Sequence, residues 1–66
     1  MKYASIVKQI RTKCKLSQSQ LAEKLSVSFA TVNRWEREKH EPSMRQRRKI
    51  RDFCLDNKID IERFKL

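Results

Sequence analysis

Residues 16–36 carry the pattern that most restricts the fold of this 66-residue chain. Ser17 and Gln20 have the spacing of a capping box, in which the two side chains satisfy backbone N–H groups at the start of a helix. Apolar residues then recur at the spacing of one helix face: Leu21, Ala22 and Leu25. Ser28 is a second capping residue, three positions after that face ends. The stretch therefore predicts two short helices, at about 18–25 and 29–37, joined by a tight turn at 26–28.

The flanking segments are also helical in pattern. An apolar stripe predicts a first helix at about 2–14, formed by Tyr3, Ile6, Val7, Ile10 and Cys14. Ser43 and Gln46 form a second capping box before a helix at about 44–55, whose predicted buried side is Ile50, Phe53 and Cys54. Asp60 is a candidate cap for a short last helix at 61–66. These segments leave a choice between four and five helices.

The fold class follows from what the chain lacks. The sequence has no glycine, one proline and no strand or hairpin signal. We expect an all-α fold, a compact bundle of four to five short helices, in a single domain at 1–66. A chain of this length buries only about 60% of its unfolded surface, so its stability should be modest.

Several functional classes find no support in the composition. Cys14 and Cys54 are too few for a disulfide framework, and with His40 alone they do not supply the four ligands of a zinc site. Both cysteines are predicted to be small core residues. Lys8 interrupts the apolar N-terminal run, so no signal-peptide core is present and a cytoplasmic location is expected. We predict no cofactor, no membrane partner and no catalytic constellation.

The charge favours a polyanionic partner. Seventeen Lys and Arg face eight Asp and Glu, a net charge of +9. Residues 1–51 hold 14 basic and 4 acidic side chains, whereas residues 52–66 hold 3 and 4. The basic surface is therefore expected on the first fifty residues, and the tail at 56–66 should lie apart from it.

The chain resembles the lambda-repressor-like helix-turn-helix domains, of the Cro/CI or XRE type, over about residues 10–53. The matching residues are Leu16, Ser17, Gln18, Leu21, Ala22, Leu25, Val27, Ser28, Val32, Trp35, Glu36 and Pro42. The resemblance implies a helix-turn-helix at about 17–37 that binds double-stranded DNA. Two positions depart from the family pattern, since Ser26 and Glu38 stand where glycine is usual. Both positions often require positive φ, which costs a non-glycine residue about 1–2 kcal/mol.

The second helix of such a unit lies in the major groove, where residues near its start reach base edges. Val32 and Trp35 should face inward, which leaves Phe29, Ala30, Asn33 and Arg34 as candidate base-reading residues. Arg34 can fork onto guanine and Asn33 onto adenine, while Phe29 and Ala30 can contact thymine methyl groups. Phe29 could instead belong to the core. Trp35 is predicted to be core rather than a base-stacking residue, and Glu36 to be a structural partner of a basic side chain.

A second set of residues is predicted to contact phosphate groups, which supply most of the affinity. Gln18 lies at a helix start, where backbone N–H groups attract anions, and its family counterpart contacts a phosphate. The full set is Arg11, Gln18, Ser28, Thr31, Arg37, Lys39 and Arg45. Four further cations circle the helix at 44–55 and are predicted to face solvent: Arg47, Arg48, Lys49 and Arg51.

The leading hypothesis is a sequence-specific transcriptional regulator, a repressor or autoregulator, that binds a palindromic site as a homodimer. One alternative is an antitoxin-like interaction module that also binds DNA, with the C-terminal tail holding its partner. Another is a DNA-targeting domain of a larger protein.

Overall fold

The computed structural model describes residues 2–60, which form four helices and no strand. The helices are α1 (Lys2–Lys13), α2 (Gln18–Leu25), α3 (Phe29–Glu36) and α4 (Met44–Asp56). The all-α class is confirmed, and each boundary lies within one residue of its prediction. The helix predicted at 61–66 lies outside the described residues. None of the four helices is long and apolar enough to span a membrane.

Three serines begin helices as predicted. Ser17 Oγ accepts from the backbone N–H of Gln20 at 3.1 Å, and Gln20 Oε1 accepts from the N–H of Ser17 at 2.8 Å. Ser43 and Gln46 form the same reciprocal pair. Ser28 Oγ accepts from the N–H of Thr31 at 3.1 Å. These bonds satisfy N–H groups that have no partner inside the helix, so the starts of α2, α3 and α4 are fixed by local chemistry.

The four helices end in the same way. Each is followed by a left-handed residue, and these residues are Lys15, Ser26, Glu38 and Lys58, with φ between 56° and 59°. The next N–H in each case bonds to the carbonyl oxygen five residues earlier, as in Leu16 to Arg11 at 3.0 Å and Val27 to Ala22 at 2.9 Å. This is the Schellman motif, which usually places glycine at the left-handed position. Ser26 and Glu38 therefore keep the backbone geometry of the resembled family without its glycines.

The left-handed ends also bring apolar side chains back to the core. Leu16 and Val27 follow two of the left-handed residues and pack against the core, and Ile59 follows Lys58 and is buried. Val27 lies in the turn between α2 and α3 and is partly buried there. The burial of Ile59 was not predicted, because it depends on the reversal of the chain at Lys58.

The core is centred on α3, which packs against α1 and α2, while α2 also packs against α4. Val32 and Trp35 are both 0% exposed, which confirms their predicted inward orientation. The indole Nε1–H of Trp35 has no acceptor among the described residues. The other main core residues come from α1, α2 and α4: Ile6, Val7, Ile10, Leu21, Ala22, Leu25, Ile50 and Cys54.

The two cysteines occupy different environments. Cys54 is fully buried. Burial is the main cause that raises the pKa of its thiol to about 11, and repulsion from Cys14 is the smaller cause. Cys54 is thus a core residue, as predicted, and its thiolate form is disfavoured. Cys14 is only half-buried at the edge of the core, because α1 ends one residue before it.

Candidate nucleic-acid interface

One face of α3 is left uncovered by the rest of the molecule. Phe29 is 51% exposed, and Ala30 and Arg34 are exposed. Asn33 is half-buried at the edge of the same face. All four predicted base-reading residues therefore lie on the side of α3 opposite Val32 and Trp35. Phe29 is therefore not a core residue.

Three of the predicted phosphate-binding cations are exposed and close to one another in the chain. Arg37 and Lys39 follow the last residue of α3, and Arg45 lies in the first turn of α4. All three residues are exposed. The loop between α3 and α4 also holds Glu38 and Glu41, so a phosphate backbone would be contacted by individual cations rather than by a loop of net positive charge.

Arg11, one of the predicted phosphate contacts, bonds within the protein. Its Nε donates to Glu36 Oε2 at 2.8 Å, and its Nη2 donates to Glu36 Oε1 at 3.0 Å. Its Nη1 donates to the carbonyl oxygen of Leu16 at 3.2 Å. All three guanidinium nitrogens thus bond within the protein, in a two-pronged ion pair between α1 and α3. The prediction that Glu36 is a structural partner of a basic side chain is confirmed.

The ionised form of Glu36 is stabilised by its neighbours. The Glu36 side chain is only 3% exposed. Burial raises the pKa of Glu36, but hydrogen bonds from Arg11 and Gln18, together with the positive charges of Arg11 and Lys8, outweigh burial and lower the pKa below its usual value. The hydrogen bond between Arg11 and Glu36 raises the pKa of the Arg11 guanidinium. The pair is therefore fully charged at neutral pH.

Gln18 links this ion pair to the exposed face of α3. Its Nε2 donates to Glu36 Oε1 at 3.0 Å, and its Oε1 accepts from Asn33 Nδ2 at 3.1 Å. Gln18 is the first residue of α2, so the chain of contacts joins the starting end of α2 to the face of α3. The structure thus brings together one predicted phosphate contact and one predicted base-reading residue, a link that the spacing of residues 18 and 33 did not indicate.

Ser28 and Thr31 form a hydroxyl pair at the start of α3. Their side-chain oxygens are 2.8 Å apart, and either hydroxyl can be the donor. Since one hydroxyl hydrogen satisfies this contact, the second remains able to donate outward. Ser28 is exposed and Thr31 is half-buried. The two predicted phosphate contacts therefore retain one donor between them.

The prediction that all four cations circling α4 face solvent is wrong for two of them. Arg47 Nε donates to the carbonyl oxygen of Pro42 at 3.0 Å, and its guanidinium lies 5.1 Å from the centre of the Tyr3 ring. Lys49 Nζ donates to the carbonyl oxygen of Ser26 at 3.4 Å, at the end of α2. Both side chains are half-buried because they connect α4 to other elements. Arg48 and Arg51 are exposed, as predicted.

Capped helices, a tight turn and an exposed second helix beside basic residues define a helix-turn-helix unit of the kind that binds DNA. The sequence model of a helix-turn-helix family matches residues 7–53. The chain therefore belongs to the lambda-repressor-like, XRE-type helix-turn-helix family, and it is a DNA-binding regulator of that type. The members of this family bind double-stranded DNA and are not typically enzymes. Neither the curated proteins nor the solved structures gave a significant match.

Proposed function

We propose that this protein is a sequence-specific repressor or autoregulator that reads DNA through α3. The observation that carries the proposal is the two-sided character of α3. Val32 and Trp35 hold one side at 0% exposure, which fixes the helix rigidly, while the opposite side is exposed. A rigid helix with one free face can enter the major groove.

The exposed side chains of α3 suit base edges. Arg34 has the planar fork that pairs with the O6 and N7 atoms of guanine, and Asn33 has the amide that pairs with adenine. Phe29 and Ala30 are apolar and can pack against thymine methyl groups. These roles make α3 the source of specificity.

Phosphate contacts supply the affinity in this proposal. Arg37, Lys39 and Arg45 are the charged contacts, since all three are exposed and lie in the loop after α3 or in the first turn of α4. Gln18 contributes from the start of α2, where the first backbone N–H groups also face outward. Ser28 and Thr31 contribute the remaining hydroxyl donor of their pair. Arg11 is assigned to support Glu36 and not to contact DNA.

Two copies are expected on one operator. A single small module buries too little DNA surface for tight specificity, and paired half-sites about one helical turn apart solve this problem. Occupancy of a promoter by such a dimer excludes other proteins sterically, which is sufficient for repression. The antitoxin-like alternative depends on the tail at 56–66, of which residues 61–66 lie outside the described part of the chain.

The proposal is tested by selecting binding sites from random duplex DNA and then measuring affinity for the selected site at several salt concentrations. We expect a palindromic consensus. Three cationic contacts predict a log–log salt slope of roughly −3 per subunit. Lys39→Ala should make the slope about one unit shallower, whereas Arg51→Ala, an exposed cation further along α4, should leave it unchanged. No enrichment of any sequence, or an affinity indifferent to salt, contradicts the proposal.

A further inference from the structure

The hydrogen bonds that join Asn33, Gln18 and Glu36 have one donor-to-acceptor direction: Asn33 donates to Gln18, and Gln18 donates to Glu36. An ionised carboxylate only accepts hydrogen bonds, so the Gln18 atom that lies 3.0 Å from Glu36 must be the donor Nε2. The carbonyl oxygen Oε1 of Gln18 then faces Asn33, and Asn33 must present its donor Nδ2 to it, at 3.1 Å. The charge on Glu36 therefore fixes the orientation of two amides, of which the second lies on the exposed face of α3.

The pairing of Arg11 with Glu36 maintains this direction. The guanidinium makes two hydrogen bonds to the carboxylate and lowers its pKa, so Glu36 stays ionised and remains a pure acceptor at neutral pH. The Oε1 atom of Glu36 that accepts from Gln18 also accepts from Arg11 Nη2. A donor in place of this oxygen would face the Arg11 donor, so Arg11 keeps an acceptor directed at Gln18.

The fixed orientation leaves Asn33 with a defined pair of groups for DNA. One hydrogen of Nδ2 is used by Gln18, which leaves the second hydrogen and the acceptor Oδ1. This pair complements adenine, which offers the N6 donor and the N7 acceptor in the major groove. Guanine offers two acceptors, O6 and N7, so Oδ1 would lie against an oxygen without a hydrogen between them. The orientation that suits adenine therefore disfavours guanine.

We propose that Glu36 is a positioning residue for base recognition, which acts through Gln18 to hold the Asn33 amide in the orientation that selects adenine over guanine. This inference rests on the proposed function, because it assigns a cause to the base preference of one residue of that site. It also makes Gln18 a link between the phosphate contact at the start of α2 and base reading by α3.

The experiment compares Asn33→Ala in two backgrounds, wild type and Gln18→Lys. Lysine can still donate to Glu36 and to a phosphate, but it has no acceptor for Asn33. Affinity is measured against all four base pairs at each operator position. We expect Asn33→Ala to reduce the preference for adenine over guanine at one position by about tenfold in the wild type. In the Gln18→Lys background the same change should alter this preference less than twofold.

Two controls isolate the orientation effect. Gln9→Lys adds the same charge on the exposed side of α1, so it should raise affinity for all duplexes and leave the preference at every position unchanged. Gln18→Met removes the hydrogen bonds without adding charge, and it should reduce the same adenine preference. Circular dichroism establishes that each variant is folded before binding is measured.

The outcomes separate the inference from the proposed function. If Asn33→Ala lowers the preference tenfold in both backgrounds, Gln18 and Glu36 do not set the orientation and the inference is overturned. If Asn33→Ala changes no preference in the wild type, Asn33 does not read a base and the inference is again overturned, while reading by Arg34 can still stand. If the wild type has no preference at any position, the proposed function itself fails.

Discussion

Glu36 has the largest effect on the structure of this site, although it is an acidic residue in a protein of net charge +9. The side chain of Glu36 is only 3% exposed, yet it stays ionised because Arg11 and Gln18 donate three hydrogen bonds to it. Breaking a buried pair by removing one partner is costly, since the other charge is left without compensation. The pair therefore contributes to the position of α3 against α1 as well as to the orientation of Gln18.

This pair predicts a specific pH dependence of stability. The pKa of Glu36 is lower in the folded protein than in the unfolded chain, where about 4.3 is usual. Its contribution to stability is therefore complete above the unfolded pKa and is lost as the pH falls through the lower folded pKa. Glu36→Gln should destabilise the protein by up to about 3 kcal/mol at pH 7, and the difference from wild type should shrink below about pH 4.

Urea unfolding of both proteins between pH 7 and pH 3 measures this difference. Glu23→Gln is the control, because Glu23 is an exposed glutamate on α2, and it should change the free energy of unfolding little at either pH. A difference between Glu36→Gln and wild type that is the same at both ends of the range would show that Glu36 does not stabilise the fold as a charged group.

At the scale of the helices, the conformations at the C-terminal ends are more unusual than those at the N-terminal ends. Within residues 2–60, four non-glycine residues hold left-handed conformations, each at the end of a helix. Such a conformation costs about 1–2 kcal/mol for a residue with a side chain. The cost is offset because the reversed chain satisfies helix carbonyl groups and returns Leu16, Val27 and Ile59 to the core.

Glycine at one of these positions should therefore stabilise the protein. Ser26→Gly removes the backbone strain at the end of α2, although it also raises the entropy of the unfolded chain. We expect a net gain of about 0.5–1 kcal/mol in the free energy of unfolding, measured by urea denaturation. Lys24→Gly is the matched control, since it lies two residues earlier in right-handed helix and should lose about 1 kcal/mol. Equal destabilisation by both changes would contradict the left-handed assignment at Ser26.

Whether an interaction could be predicted from the sequence depends on how far apart its two residues lie in the chain. Helix starts could be predicted because a cap and its partner lie three residues apart, as in Ser17 and Gln20. The inward orientation of Trp35 could be predicted from helical periodicity. The pairing of Arg11 with Glu36 spans 25 residues, and the contact of Arg47 with Tyr3 spans 44 residues, from 3 to 47. Neither pairing has a local signal, so the charge of Arg11 and Arg47 alone does not reveal their partners.

At the scale of the whole molecule, Trp35 is the largest fully buried side chain of the described residues, and it connects α3 to the rest of the core together with Val32. Trp35→Ala should cost about 3–5 kcal/mol, which is comparable with the total stability of a domain this small. Thermal unfolding followed by circular dichroism should show a protein that is largely unfolded at room temperature. Phe29→Ala is the matched control on the same helix, and it should melt close to wild type because Phe29 is half-exposed. A normally folded Trp35→Ala protein would mean that the core does not depend on α3.

The central claim is a division of labour, in which α3 reads bases and the loop after it holds phosphates. The most direct measurement is the affinity of Arg34→Ala and Lys39→Ala for a panel of single-base variants of the selected operator. A fork from arginine to guanine discriminates by about 1–3 kcal/mol, so Arg34→Ala should lose preference at one base pair in each half-site. Lys39→Ala should weaken binding to every duplex about equally, because a phosphate contact carries no sequence information. If both variants lose affinity uniformly across the panel, Arg34 is a phosphate contact and the claim that it reads a base is contradicted.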